Sequence, residues 1–190
     1  MRVMLVDKEQ ARSALLEQAL KDAGYEVVAR VRSESDLYAV VERHQPDIII
    51  VDMDNPDRDT LEHMRTISRD QPKPIVMFSG QDDSSVIEEA VRAGVSAYVV
   101  DGLDFKRIRP IINVAVARFR EYLAMRRDLE DAKMQLAERK LVERAKGLLM
   151  KQRGFSEEEA FQAMRKLAMD RNKRLSEIAD GIIQTFDLLG

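Results

Sequence analysis

The chain has 190 residues, 45% hydrophobic and 5% aromatic, with no Cys, no Trp and a formal net charge of −3. The apolar fraction supports a packed core of one or two domains. The absence of Cys excludes disulfides and thiolate metal sites, and the scarcity of aromatics argues against a base-stacking platform for single strands.

The opening MRVMLVDKEQ reaches charge too early for a signal peptide, and no apolar run is long enough for a membrane span. A cytoplasmic protein with no membrane partner is expected. Short runs rich in Val and Ile recur at 3–6 (VMLV), 26–31 (EVVARV), 47–51 (DIIIV), 74–78 (PIVMF) and 97–100 (AYVV). Between them lie amphipathic segments marked by Leu15, Leu16, Ala19 and Leu20, by Leu37, Val40 and Val41, by Leu61, Met64 and Ile67, and by Val86, Ile87, Ala90 and Val91. Continuous apolar strands alternating with helices predict an α/β domain with a five-stranded parallel sheet covered on both faces. Gly24 and Gly94 stand where helices should end. Sites in such sheets form at the carboxyl ends of strands, and there the sequence places Asp7 and Glu9, Asp52 and Asp54, and Ser79.

With LVDKE, IIIVDMD, MFSG and AGVSAYVV in these positions, residues 1 to about 120 resemble a flavodoxin-like response-regulator receiver. The resemblance makes Asp52 the phosphoacceptor position and assigns Asp7, with Glu9, to the acidic cluster that holds Mg²⁺. It makes Ser79 the switch hydroxyl and Tyr98 the switch aromatic. A carboxylate nucleophile needs such a cation to offset the incoming phosphoryl charge. Two positions depart from the pattern. Lys8 stands where the second acid of the pair belongs, so Glu9 is one residue displaced as a metal ligand. Asp101-Gly102 replaces the usual Lys-Pro after the fifth strand. An anion at Asp101 repels phosphate, and Lys8 either restores part of the lost charge or pairs with Asp52. The expectation is a degenerate receiver that requires no cofactor and does not depend on phosphorylation of Asp52. Its metal candidates are Asp7 and Asp52, and the alternative is that both are acids bonded locally. His44 and His63 receive no role, having no second ligand at metal spacing.

From Phe105 to Arg153 only Gly147 and Pro110 interrupt the helical composition. Pro110 is tolerable in a first turn. Ile108, Ile111, Ile112, Ala115 and Phe119 suit the last helix of the α/β domain, and Tyr122, Met125, Leu129, Ala132 and Leu136 follow at spacings 3, 4, 3, 4. That seam of a little over two heptads predicts a long helix that pairs with its twin in a homodimer. A single helix packed on its own domain is the alternative. The helix stops at Gly154. Ser156 and Glu159 form a capping box, Phe155 and Ala160 take the staple positions, and a helix follows to about Met169. DRNKR is a polar loop, and Leu175-Ser176 opens a third helix whose apolar face is Ile178, Ala179, Ile182, Ile183 and Phe186.

The charge is divided: residues 1–103 carry 12 Lys and Arg against 20 Asp and Glu, residues 104–190 carry 19 against 14. A basic half joined to an acidic one points to a polyanion or an acidic partner; solvated mixed faces are the alternative. AKGLLM at 145–150, SEEEAF at 156–161, and then Met164, Arg165, Ala168, Asn172, Leu175 and Ile178-Ala179 resemble the ANTAR module. A degenerate receiver (1–120), a coiled connector (120–136) and this small three-helix module (136–190), in that order, resemble the AmiR/NasT group of transcription antiterminators. YVVDGL is nearest the NasT type, which regulates nitrate and nitrite assimilation. The resemblance implies binding to hexaloop hairpins in nascent leader RNA, which prevents termination, and control by a nitrate-sensor-like protein. Lys146, Lys151, Arg153, Arg165, Lys166, Arg171, Lys173 and Arg174 are the phosphate-contact candidates. Arg165, Asn172 and Lys146 are the candidate readers of unpaired loop bases. Gly147 in mid-helix, at a cost of about 1 kcal/mol against Ala, fits a close helix–helix or helix–RNA approach.

Two rival readings remain. In a DNA-binding regulator, RLSEIADGII would open a helix-turn-helix, but the residues after Gly181 are too apolar for a recognition helix. In the other, the coil and bundle bind only protein. No nucleophile–base pair supports an enzyme.

Overall fold

The structure, a computed structural model, describes residues 1–7, 10–32, 36–53, 56–100 and 107–189. It divides into two compact units, residues 1–123 and 124–190. The first holds β1 (Arg2–Asp7), α1 (Gln10–Asp22), β2 (Glu26–Val31), α2 (Leu37–His44), β3 (Ile48–Asp52), α3 (Arg58–Asp70), β4 (Ile75–Ser79), α4 (Ser84–Arg92) and β5 (Ala97–Val100). A long helix α5 (Ile108–Arg153) starts in the first unit and ends in the second, where α6 (Glu157–Arg171) and α7 (Leu175–Leu189) follow. The strands form one parallel sheet in the order β2-β1-β3-β4-β5.

Side-chain alternation along the central strands builds two cores. Val3 and Leu5 of β1, Ile48 and Ile50 of β3, and Val76 and Phe78 of β4 face one way, onto Leu16 and Leu20 of α1 and Ile108, Ile112 and Ala115 of α5. Met4 and Val6, Ile49 and Val51, and Ile75 and Met77 face the other way, onto α2, α3 and α4 through Leu37, Val41, Leu61, Met64, Ile67 and Ala90. Strands buried on both faces need no polar alternation, which is why they read as unbroken apolar runs. Pro110 falls in the first turn of α5, where no intrahelical N–H bond is lost.

The second unit is a small bundle. Ala145, Met164, Ala168, Ile178, Ala179 and Ile183 form its centre, and Leu141, Val142, Leu148, Leu149, Leu167, Leu175 and Ile182 pack around it. Gly154 takes a left-handed φ of 69° and ends α5. Ser156 then caps α6: its hydroxyl accepts from the Glu159 amide at 3.2 Å, and the Glu159 carboxylate accepts from the Ser156 amide at 2.8 Å. Phe155 remains 38% exposed. Among the described residues no helix is long and apolar enough to cross a membrane.

Candidate functional site

Parallel pairing brings the receiver acids together. Asp7 ends β1 and Asp52 ends β3, and the two are opposite each other in register. Asp52 is 3% exposed, Asp7 is buried as well, and Ser79 at the end of β4 is fully buried. The Ser79 hydroxyl accepts a hydrogen bond from the Gln81 amide at 3.1 Å. The Tyr98 hydroxyl, reaching over from β5, donates to the Gln81 carbonyl at 3.2 Å. Ser79 and Tyr98 therefore hold one residue of the segment between β4 and α4. Glu9, Lys8, Asp54, Asp101 and Gly102 lie outside the described residues.

A Mg²⁺ ion, which receivers commonly bind, would find Asp7 and Asp52 as carboxylate donors. Mg²⁺ is usually held by one or two carboxylates, with water completing its octahedron, so these two residues suit it as protein donors. Among the described residues no cluster of three or more potential ligands forms.

The second unit separates the candidate RNA-contact residues into two groups. Lys146 is only 7% exposed. Its ammonium lies 2.7 Å from Glu157 at the start of α6 and 2.9 Å from Glu143 one turn back on α5. The hydrogen bond to Glu157, then that to Glu143, raises the lysine above its ordinary pKa. The Lys146 bond holds Glu157 below its own. Lys146, expected to contact phosphate and to read loop bases, is withdrawn into a clasp between α5 and α6. Its stem lies in the bundle and its charge is already answered. Arg174 is partly committed as well, 3.8 Å from Glu138.

Lys151, Arg153, Arg165, Lys166, Arg171 and Lys173 are all exposed. Among the described residues none of the six pairs with a carboxylate. Arg165, Met169 and Asn172 fall at i, i+4 and i+7, on one stripe of α6 and its cap. Asn172 has a structural task besides: it is the C-cap of α6 in the left-handed region, φ 51° and ψ 44°, a conformation that Asn tolerates better than most side chains. Gly147 is exposed, and a Cβ built on it meets nothing within 4 Å. Among the described residues no close helix–helix approach explains it.

Two features were not anticipated. Glu143 could have been read as the partner of Lys146 from its i, i+3 spacing. Glu157 could not, because its nearness depends on the chain reversal at Gly154. The second feature is a cleft at the α7 end of the bundle. It is lined by Leu149, Leu167, Ile182 and Phe186 on its apolar side and by Arg153, Arg171 and Lys173 on its polar side.

Comparison with known proteins agrees with both units. Residues 3–113 match the family described as response regulator receiver domain, and residues 130–183 match the ANTAR domain. The transcriptional regulatory protein PdtaR of Mycobacterium tuberculosis is 33% identical over 184 residues, covering 97% of this chain and 90% of that protein. The nitrate regulatory protein of Klebsiella oxytoca is 40% identical over 78 residues, covering 41% of this chain and 19% of that protein. A two-component response regulator of the LuxR family from Aurantimonas superposes with a TM-score of 0.55 at 27% identity, covering 61% of this chain and 84% of that one.

Proposed function

The chain belongs to the ANTAR-domain response regulators, a family of transcription regulators, and from that premise we propose that it binds hexaloop hairpins in nascent leader RNA and prevents termination. The observation that carries the proposal is the distribution of charge in residues 124–190. Five of the twelve acids there are tied to cations outside the six exposed candidates: Glu130 on Arg126, Glu143 and Glu157 on Lys146, Glu138 on Arg174 and Ser176, Asp187 on Arg144. The six exposed cations are left facing solvent. Unanswered Lys and Arg at the surface suit phosphate, and unpaired loops are where proteins read RNA sequence.

The proposed division is a receiver at 1–120, a coiled connector at 120–136 and an RNA-binding module at 136–190. The proposed assembly is a homodimer. Tyr122, Met125, Leu129 and Leu136 are each about half exposed on α5 (49, 63, 54 and 55%), an apolar seam that a second copy would cover. The proposed control is a sensor protein rather than phosphorylation, on the strength of Lys8 and Asp101 in the receiver sequence. Nitrate and nitrite assimilation is the proposed target, and it rests on the 78-residue likeness to the Klebsiella protein. The proposed location is the cytoplasm, where nascent RNA is made.

The DNA-binding reading is disfavoured by α7. Its side chains Ile178, Ala179 and Ile183 are in the bundle core. Its charges are Glu177, Asp180 and Asp187, with no Lys or Arg. Laid in a major groove as a recognition helix, it would set three carboxylates and no cation of its own against the phosphates on either side.

The test is binding of the full chain, in a salt series, to a two-hairpin hexaloop RNA, the same RNA with scrambled loops, and duplex DNA. Loop-dependent binding that weakens on Arg165→Ala or Lys166→Ala supports the reading. Equal, purely salt-driven binding to all three overturns it.

A further inference from the structure

The cleft at the α7 end of the bundle, about 480 Å³ in volume, is within the range of ligand sites, about 300–1,000 Å³. Its apolar side offers Phe186, half-buried, beside Leu149, Leu167 and Ile182. Its mouth is basic. Arg153 comes from the last residue of α5, Arg171 from the last residue of α6, and Lys173 from the turn before α7. Three helix ends thus converge on one opening. The carboxylate there is Glu177, one of whose oxygens already accepts from the Arg174 amide at 2.8 Å. Among the described residues the three cations have no ion-pair partner.

Gly181 is the second observation. It sits inside α7 and lines the cleft. A glycine in a helix interior costs about 1 kcal/mol relative to Ala. Helical glycines are commonly explained by a neighbour too close to tolerate a Cβ, yet a Cβ on Gly181 would meet nothing within 4 Å. Its φ is not in the left-handed region either, unlike those of Gly24, Gly94 and Gly154. Neither packing nor backbone conformation accounts for it. What the missing side chain does is leave the α7 wall of the cleft open at this point.

We propose that this cleft takes one unstacked base of an RNA loop, with Phe186 and the aliphatic lining against the base and Arg153, Arg171 and Lys173 on the flanking phosphates. The proposal deepens the RNA-binding reading above and rests on it. The chemistry is that of RNA-loop recognition: a base turned out of its stack presents a flat apolar face, and its phosphates stay beside it. A purely apolar occupant would leave three cations unanswered. A small inorganic anion would leave the aromatic and aliphatic side unused.

The experiment is a binding cycle on the full chain. Gly181→Leu fills the cleft and Gly181→Ala narrows it while raising helix propensity, so a folded variant is available in either case. The probes are the two-hairpin hexaloop RNA and the same RNA with single abasic substitutions at each loop position. Wild type should lose about tenfold or more at one abasic position, as for loss of one stacked base. Gly181→Leu should lose about as much on the intact RNA and nothing further on that abasic RNA, and Gly181→Ala should lose less in the same direction. Wild-type binding by Gly181→Leu, or losses that simply multiply with every abasic substitution, would overturn the cleft as the base site. If wild type itself does not distinguish intact from scrambled loops, it is the RNA reading that fails.

Discussion

Lys146 lies 2.7 Å from a carboxylate oxygen of Glu157, across the turn that separates α5 from α6. The pair ties the two helices at the point where the chain reverses, and it should make the bundle sensitive to acid. Glu157 is held below its ordinary value of 4.5 by the bond from Lys146, and Glu159 is held below the same value by the Ser156 amide. Depressed folded-state values mean that this stabilisation is complete above the unfolded value and is lost as pH falls through the folded ones. The raised Lys146 works in the opposite sense, losing its contribution only as pH rises past the ordinary lysine range. Thermal melts of the full chain between about pH 6 and about pH 3 should show the helical bundle losing stability toward acid. Glu157→Gln should flatten part of that dependence. An unchanged slope in that variant would remove the clasp as its source.

Ser156→Ala removes one half of the reciprocal cap of α6. The expected cost is about 1 kcal/mol, seen as faster amide exchange at Glu159, whose N–H bonds the Ser156 hydroxyl. Exchange at Glu159 equal to wild type would count against the cap.

Gly94 follows α4 with φ at 97°, and a Cβ there would overlap the side chain of Ser68 on α3. Gly94→Ala should destabilise the receiver unit by roughly 1–3 kcal/mol in denaturant unfolding. Adding Ser68→Gly should recover the steric part and leave the backbone part. Full recovery would mean the left-handed conformation costs nothing here.

Leu129→Lys places a charge in the middle of the exposed seam of α5. If a second copy covers that seam, sedimentation should shift toward monomer by at least tenfold in dissociation constant, the effect of about 1.4 kcal/mol. Since Leu129 is 54% exposed in the single chain, the chain's own stability should hardly move. An unchanged oligomeric distribution would send the seam back to solvent.

Asp52→Asn keeps shape and removes charge at the phosphoacceptor position. Affinity for the two-hairpin RNA should stay within about twofold, a change of under 0.5 kcal/mol, whether or not the protein is treated with a small phosphodonor. A phosphodonor response in wild type that the variant lacks would restore phosphorylation as the control.

Much of this architecture is legible in the sequence because the signals are local. EVVARV and AYVV match β2 and β5 residue for residue, since apolar runs between turn residues have few alternatives. The start of α7 at Leu175 and the Ser156–Glu159 box are likewise short-range chemistry. The facing of Asp7 and Asp52 follows from parallel order and is recoverable once the sheet is known. What was not legible depends on chain reversal. Lys146 reads as one more surface cation until α6 folds back and sets Glu157 beside it. The cleft gathers Arg153, Arg171 and Lys173 from three helix ends that no sequence spacing relates. Gly181 was readable as a helix-interior glycine, but its meaning needed the empty space above it.

The backbone of Gln81 is held on both sides, its N–H by the Ser79 hydroxyl and its carbonyl by the Tyr98 hydroxyl. A hydroxyl has a single proton to give, so any new acceptor arriving for Tyr98 must take it from this carbonyl. Whatever draws on Ser79 likewise competes for the oxygen that holds the amide. One residue, through the two peptide groups on either side of it, therefore records the allegiance of two side chains on neighbouring strands. The exchange rate of the Gln81 amide and the stretching frequency of its carbonyl are two separate gauges of these two hydrogen bonds.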